Sequence, residues 1–282
     1  MYISVIPTSK SQGKSPYIYF VSPTWENQIT IGGLVEIPFG KEILFGIVTS
    51  FEIAGSLDIN TYEIRPIHSV ICSSPILDIQ QLKVILRLSE KYFLPIHKSL
   101  SLFLPIALLR RLEKRNFILS DTPRNKGEVF SSISIHHYIE STFSPKDIKE
   151  YLKPESVILF PDDMMLFSFF KGKINDDSIS LIPTEATITK RIQAWIDIYE
   201  KKYEIIVGTR RLLYYNLKAY KNIIYIEDAF GVEQFQYPTS IRSLDVLSFI
   251  LESHSHNITI ISSSPSLELF AKFPKSKIQT MK

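Results

Sequence analysis

Leu34-Val35-Glu36-Ile37-Pro38-Phe39-Gly40-Lys41, followed by Phe45-Gly46-Ile47-Val48-Thr49-Ser50, is the stretch that decides the fold of the first part of the chain. Two runs rich in β-branched and aromatic residues, 34–37 and 44–51, flank the turn signal Pro38-Phe39-Gly40, and Gly32-Gly33 marks another turn just upstream. Outward from it, 17–21 and 63–70 read as further strands, so the first 70 residues predict a small barrel or curled sheet. The pattern changes at Asp78. Asp78 and Gln81 form a capping box, and Leu82, Ile85, Leu86 and Phe93 recur at helical spacing. Pro95 is expected to end that helix; 96–104, closed by Pro105, predicts a second, and 108–114 continues toward a connector. The class predicted for this part is α+β: a small barrel-like sheet with helices.

Residues 115–128 are polar and without period, which predicts a linker. Beyond it, strand-like runs at 157–160, 179–182, 204–207, 223–226 and 258–261 alternate with helical patterns. The clearest helix is 187–201, with Ile188, Ile192, Trp195, Ile196 and Tyr199 on one stripe that reads as core; 241–251 is another. Such alternation predicts an α/β domain with a mainly parallel sheet. The expected organisation is a domain at 1–112, a linker or connector at 113–150 and a second domain at 151–282.

The 282 residues are 45% hydrophobic and 22% charged, enough for one large or two ordinary globular domains. The net charge of +3 excludes a strongly basic nucleic-acid coat. Residues 1–115 hold twelve Lys/Arg against nine Asp/Glu, a net +3, and the remaining twenty and twenty cancel. The whole excess therefore lies in the first part, densest at Arg110, Arg111, Lys114 and Arg115, a run that reads equally well as a solvated helix end. One cysteine, Cys72, forms no internal disulfide, and the cytoplasm is the expected compartment. Residues 1–7 lack the pattern of a signal peptide, and 99–109 is too short to span a membrane, so no membrane segment is expected.

Read together, two stretches resemble the primosomal protein N′ (PriA) replication-restart helicase family. The first comprises the opening stretch, Ile64-Arg65-Pro66-Ile67, and the run 90–105, in which Glu90, Lys91, Tyr92 and Pro95 stand on that family's D-Y-Y and Pro positions while His97 replaces a Gly. It resembles the family's 3′-end DNA-binding domain. In the second, Ile206-Val207-Gly208-Thr209-Arg210 is similar to I-G-T-R, 217–226 to the strand before the DEEH box, and Ser262-Ser263-Ser264-Pro265-Ser266-Leu267-Glu268 to G-S-A-T-P-x-L-E. It resembles part of a RecA-like first helicase lobe. The resemblance implies a pocket for the terminal 3′ nucleotide on Tyr17, Ile18, Gly40 and Arg65; Lys41 and the basic run at Arg110 and Arg111 are further candidate DNA contacts by charge. An aromatic face stacks a base, Gly admits the sugar-phosphate, and Arg forks onto phosphate. Ile18 stands where the family has an acid, which implies a looser grip on a terminal 3′-OH.

The departures bear on mechanism. The phosphate cradle G-x-x-x-x-G-K-[ST] does not occur in these 282 residues. The DEEH position reads Glu227-Asp228-Ala229-Phe230, and the family's paired zinc-binding cysteines and second lobe are not present in this sequence. The expectation is a degenerate lobe, with no catalytic residue, no cofactor and no metal. His136-His137 and His254-Ser-His256 lack the spacing of zinc ligands; Asp162-Asp163 and Asp176-Asp177 read as solvated turns; 262–264 has no G-x-S-x-G elbow. The favoured reading is a DNA-binding protein for replication forks or 3′ ends without its own ATPase, partnered by DNA and by other replication-restart proteins. The alternatives are part of a 3′-5′ helicase whose motor is supplied by another chain, and a protein-interaction scaffold that binds no DNA.

Overall fold

In this computed structural model, residues 1–9, 16–53, 64–115, 132–138, 147–170, 177–227, 241–253, 256–274 and 276–281 are described. The chain divides into two units, Met1–Asp121 and Thr122–Lys282.

Five antiparallel strands build the sheet of the first unit: β1 (Tyr2–Pro7), β2 (Tyr17–Phe20), β3 (Leu34–Phe39), β4 (Glu42–Glu52) and β5 (Ser69–Cys72), in the order β2-β1-β4-β3-β5. The strand absent from the sequence reading is β1. Its run Ile3 to Pro7 is buried throughout, the polar Ser4 included, so it lacks the alternation of a half-exposed strand. The expected strand at 63–70 is shorter and later, because Pro66 has no N–H for a ladder. Instead, 65–68 links the edge strand β2 to β3. Phe20 N donates to the Arg65 carbonyl and Ile67 N to the Phe20 carbonyl, each at 2.9 Å, while His68 N donates to the Glu36 carbonyl on β3 at 2.8 Å. The sheet thereby curls into a barrel around Ile3, Val5, Tyr19, Val35, Ile37 and Val48.

Three helices follow: α1 (Ile79–Lys91), α2 (Ile96–Phe103) and α3 (Ile106–Arg115). The Asp78–Gln81 capping box is present, with Asp78 Oδ1 accepting from Gln80 N at 2.9 Å and Gln81 N at 2.8 Å. The expected stripe is corrected in part. Leu82 and Ile85 are buried together with Val84 and Leu88, whereas Leu86 and Phe93 face outward. Helix α1 also stops before Pro95, because Leu94 N and Phe93 N turn back onto the carbonyls of Ser89 and Glu90.

Among the described residues, the second unit holds seven strands, all paired in parallel: β6 (Ser132–Tyr138), β7 (Ser156–Phe160), β8 (Ile179–Ile182), β9 (Ile205–Thr209), β10 (Asn222–Ile226), β11 (Asn257–Ser262) and β12 (Lys277–Met281). Their order is β12-β6-β11-β10-β7-β9-β8, an arrangement consistent with a RecA-like α/β domain. Helices α4 (Asp163–Phe170), α5 (Ile188–Tyr199), α6 (Ser243–Ser253) and α7 (Leu267–Lys272) accompany them. Strand β6 lies inside the segment read as a connector, so this sheet begins earlier than expected. Along β7, Ile158 and Phe160 face a cluster with Leu166 and Phe170 of α4, while the alternate Val157 and Leu159 are equally buried, as in a sheet covered on both faces. On the α5 stripe Ile192, Trp195, Ile196 and Tyr199 are core as read, but Ile188 is exposed.

No described helix is long and apolar enough to cross a membrane.

Candidate nucleic-acid interface

The β3–β4 connection is a two-residue turn, since Phe39 pairs with Glu42. Gly40 occupies its first position with φ +62°, the requirement of a hairpin turn that matches strand twist. A Cβ there would meet nothing within 4 Å, so the turn stands open to solvent. Lys41 beside it is exposed. Arg65 reaches the turn through barrel closure: its Nη1 donates to the Gly40 carbonyl at 3.2 Å, and its side chain is exposed. From β2, the half-buried Tyr17 ring meets Phe39 edge-on, with centroids 5.2 Å apart.

Tyr19 completes the rim from within. Its hydroxyl donates to the Pro38 carbonyl at 3.2 Å. Burial pushes its phenol up to about 12; the neighbouring Tyr17 adds to the rise and the Arg65 guanidinium opposes it. Tyr17, Gly40, Lys41 and Arg65, up to 48 positions apart in sequence, thus share one rim, and Phe39 and Tyr19 are the members that sequence reading missed. The signal was available only for Phe39, which stood in the turn motif. Ile18 points elsewhere on β2. It is 37% exposed and pairs with Ser4, whose hydroxyl donates to Glu52 Oε1 at 2.6 Å. Arg110 and Arg111 lie on α3, Arg110 exposed and Arg111 half-buried.

In the second unit, the positions matched to helicase motifs fall at strand ends. Gly208 and Thr209 close β9; a Cβ on Gly208 would come within 2.5 Å of the Ile182 carbonyl, so this glycine permits close strand packing. Thr209 is buried, its hydroxyl 2.7 Å from that of Thr184. The Arg210 guanidinium lies over the Tyr225 ring, 5.0 Å from its centroid. Glu227, buried just past β10, accepts from the Ser266 hydroxyl at 2.6 Å and so braces the start of α7. Asp228 lies outside the described residues. Ser264 is exposed, its N–H donating to Ser262 Oγ at 3.1 Å.

The remaining polar candidates have structural duties. Asp162 is no open turn residue: its Oδ1 accepts from Met165 N at 2.7 Å at the start of α4. Asp163 accepts from the backbone of Thr184 at 2.7 Å and Glu185 at 3.0 Å. Nδ1 of the buried His256 donates to the Tyr220 carbonyl at 2.8 Å, and Nδ1 of His136 lies 2.6 Å from the Tyr151 hydroxyl. His254 and Asp176 lie outside the described residues. Among the described residues, no group of three His, Cys, Asp or Glu side chains could hold a metal ion.

A curled antiparallel barrel with helices behind it, and aromatic, glycine and cationic groups on one rim, is the architecture of a small binding module. Residues 5–105 match the family model of the PriA 3′DNA-binding domain (3′BD). The chain therefore carries the N-terminal 3′-end DNA-binding domain of the PriA family, and DNA is the partner that this domain implies. No curated protein matches the chain.

Proposed function

We propose that the first unit holds the terminal nucleotide of a DNA 3′ end at the rim of Tyr17, Phe39, Gly40, Lys41 and Arg65, and that the chain serves replication restart in the cytoplasm without hydrolysing ATP. The observation that carries the reading is the meeting of Arg65 with the Gly40 turn, alongside the Tyr17–Phe39 pair. Two aromatic rings offer a stacking platform, the open turn admits the sugar-phosphate, and Lys41 and Arg65 supply the charge that phosphate needs. With Ile18 facing away toward Ser4, the rim carries no carboxylate from that position to grip a terminal hydroxyl.

Two features support the absence of ATP turnover. The phosphate cradle is missing from the 282 residues, and the Glu227 carboxylate is already engaged with Ser266. The second unit then acts as a scaffold or as a docking surface for other replication-restart proteins. Titration of a 3′-ended fork tests the rim. Tyr17→Ala should lose about 1–3 kcal/mol of stacking, and Arg65→Gln should flatten the salt dependence by about one phosphate contact. Unchanged affinity in both variants, with folding intact by circular dichroism, contradicts the rim assignment. DNA-stimulated phosphate release by the pure chain contradicts the absence of turnover.

A further inference from the structure

Phe93 stands at the C-terminal end of α1 in a conformation that disfavours it. Its φ is +52°, in the left-handed region, and its side chain is 78% exposed. The surrounding bonds explain the backbone. Leu94 N donates to the Ser89 carbonyl at 3.0 Å and Phe93 N to the Glu90 carbonyl at 3.3 Å, which is the paired closure that ordinarily places Gly at this position. The Ser89 hydroxyl returns to the Leu94 carbonyl at 2.7 Å and fixes the turn. A large aromatic here therefore strains the backbone and remains largely in solvent, a combination that points to use.

The helix leading to it supplies the chemistry of a partner. Lys83, Arg87 and Lys91 recur at i, i+4 and i+8, all exposed, in steps of about 6 Å along the axis. Glu90 is the acid on the same helix, so α1 carries three cations and one anion, a net +2. Ile79 and Leu86 are exposed on this outward side as well.

We propose that the outward face of α1, ending in Phe93, is a second contact for single-stranded DNA, with Lys83, Arg87 and Lys91 tracking phosphates and Phe93 stacking a base. Cations beside an aromatic form the pairing by which single strands are held without sequence preference. The inference rests on the reading of this unit as a DNA-binding module, but not on the terminal-nucleotide rim.

A circular single strand, which has no 3′ end, separates the two sites when titrated with the full chain. Phe93→Gly should weaken binding to the circle by about 5- to 150-fold. Its melting temperature should not fall, because Gly suits the left-handed position. Phe93→Trp should bind as the parent chain does. Changing Lys83, Arg87 and Lys91 together to Gln should lower the slope of log K against log salt by about 2. Tyr17→Ala and Arg65→Gln should weaken binding to a 3′-ended strand more than binding to the circle, whereas the α1 variants should weaken both alike, so failure of the rim and failure of this face give different patterns. Unchanged binding of Phe93→Gly to the circle overturns the proposal, as does an affinity loss that merely follows a drop in melting temperature.

Discussion

Ile18 stands where the resemblance places an acid but faces away from the rim, and its surroundings make that difference testable. A side chain 37% exposed on a strand can become Asp without burying an unpaired charge, so Ile18→Asp should fold at a cost of no more than about 1 kcal/mol, from strand propensity alone. The new carboxylate would stand beside Ser4, whose hydroxyl is engaged by Glu52, and hydrogen bonds from Ser4 and Ser50 hold the Glu52 carboxyl below its ordinary range. Competition of 3′-hydroxyl against 3′-phosphate oligonucleotides should then be unchanged, because the carboxylate alternates with Tyr17 and Tyr19 along β2 and faces away from the rim. A ratio shifted toward the hydroxyl would show that position 18 takes part in end recognition and contradict the placement of the rim. The rim was only partly legible in the sequence. Tyr17, Gly40 and Arg65 stood out by residue type, but what joins Arg65 to Gly40 is the bridging of 65–68 between β2 and β3, a long-range closure that no local pattern encodes. The role of Tyr19 was hidden for the same reason, since its partner Pro38 lies nineteen residues away.

At the scale of elements, local signals were read well where one face is buried and one is wet. The Asp78 capping box follows from residue type and spacing, and the helix read from 187 onward is α5, whose cap by the Thr187 hydroxyl was not singled out. Strand β6, in contrast, was passed over inside a polar stretch although Ser132-Ile133-Ser134-Ile135 alternates, and β12 is a short edge strand with mostly exposed side chains. The turn into β7 depends on charge. Glu155, at φ +59°, binds Lys201 at 2.8 Å and Lys221 at 2.5 Å, and Lys201 is itself left-handed at φ +51°. Hydrogen bonds from Lys201 and Lys221, in that order, hold the Glu155 carboxyl below its ordinary value of 4.5. A depressed carboxylate contributes stability above its unfolded pKa and loses it as pH falls through the folded one. Glu155→Gln should therefore lower the melting temperature near pH 7, with the gap to the parent chain closing as pH falls through the lowered range of this carboxyl. A gap that persists in acid would mean that the turn, rather than the charge, sets the stability. Gly208→Ala is expected to destabilise the same sheet by about 1–3 kcal/mol, because the added methyl meets a backbone carbonyl that cannot move aside. Chemical denaturation of that variant gives the value.

The whole molecule joins a module whose family binds DNA 3′ ends to a parallel-sheet unit whose motif positions serve packing. Gly208 admits a neighbouring strand, Thr209 bonds to Thr184, and Glu227 braces α7. Parallel sheets place their ligand crevices at the carboxyl ends of strands, and at the ends of β9 and β10 Thr209 is held by Thr184 and Glu227 by Ser266. The division of labour predicted from charge follows the same line, since the entire +3 excess lies in residues 1–115. The full chain should accordingly bind DNA equally with and without ATP, a comparison that one titration series makes; a nucleotide-dependent change in affinity would reassign the second unit. The central claim is recognition of a 3′ end, and it is met most directly by binding to two matched forks, identical except that one presents a free 3′ end at the junction and the other none. The account predicts tighter binding to the 3′-ended fork, with the preference abolished by Tyr17→Ala together with Arg65→Gln; equal affinity of the unaltered chain for both forks would contradict it.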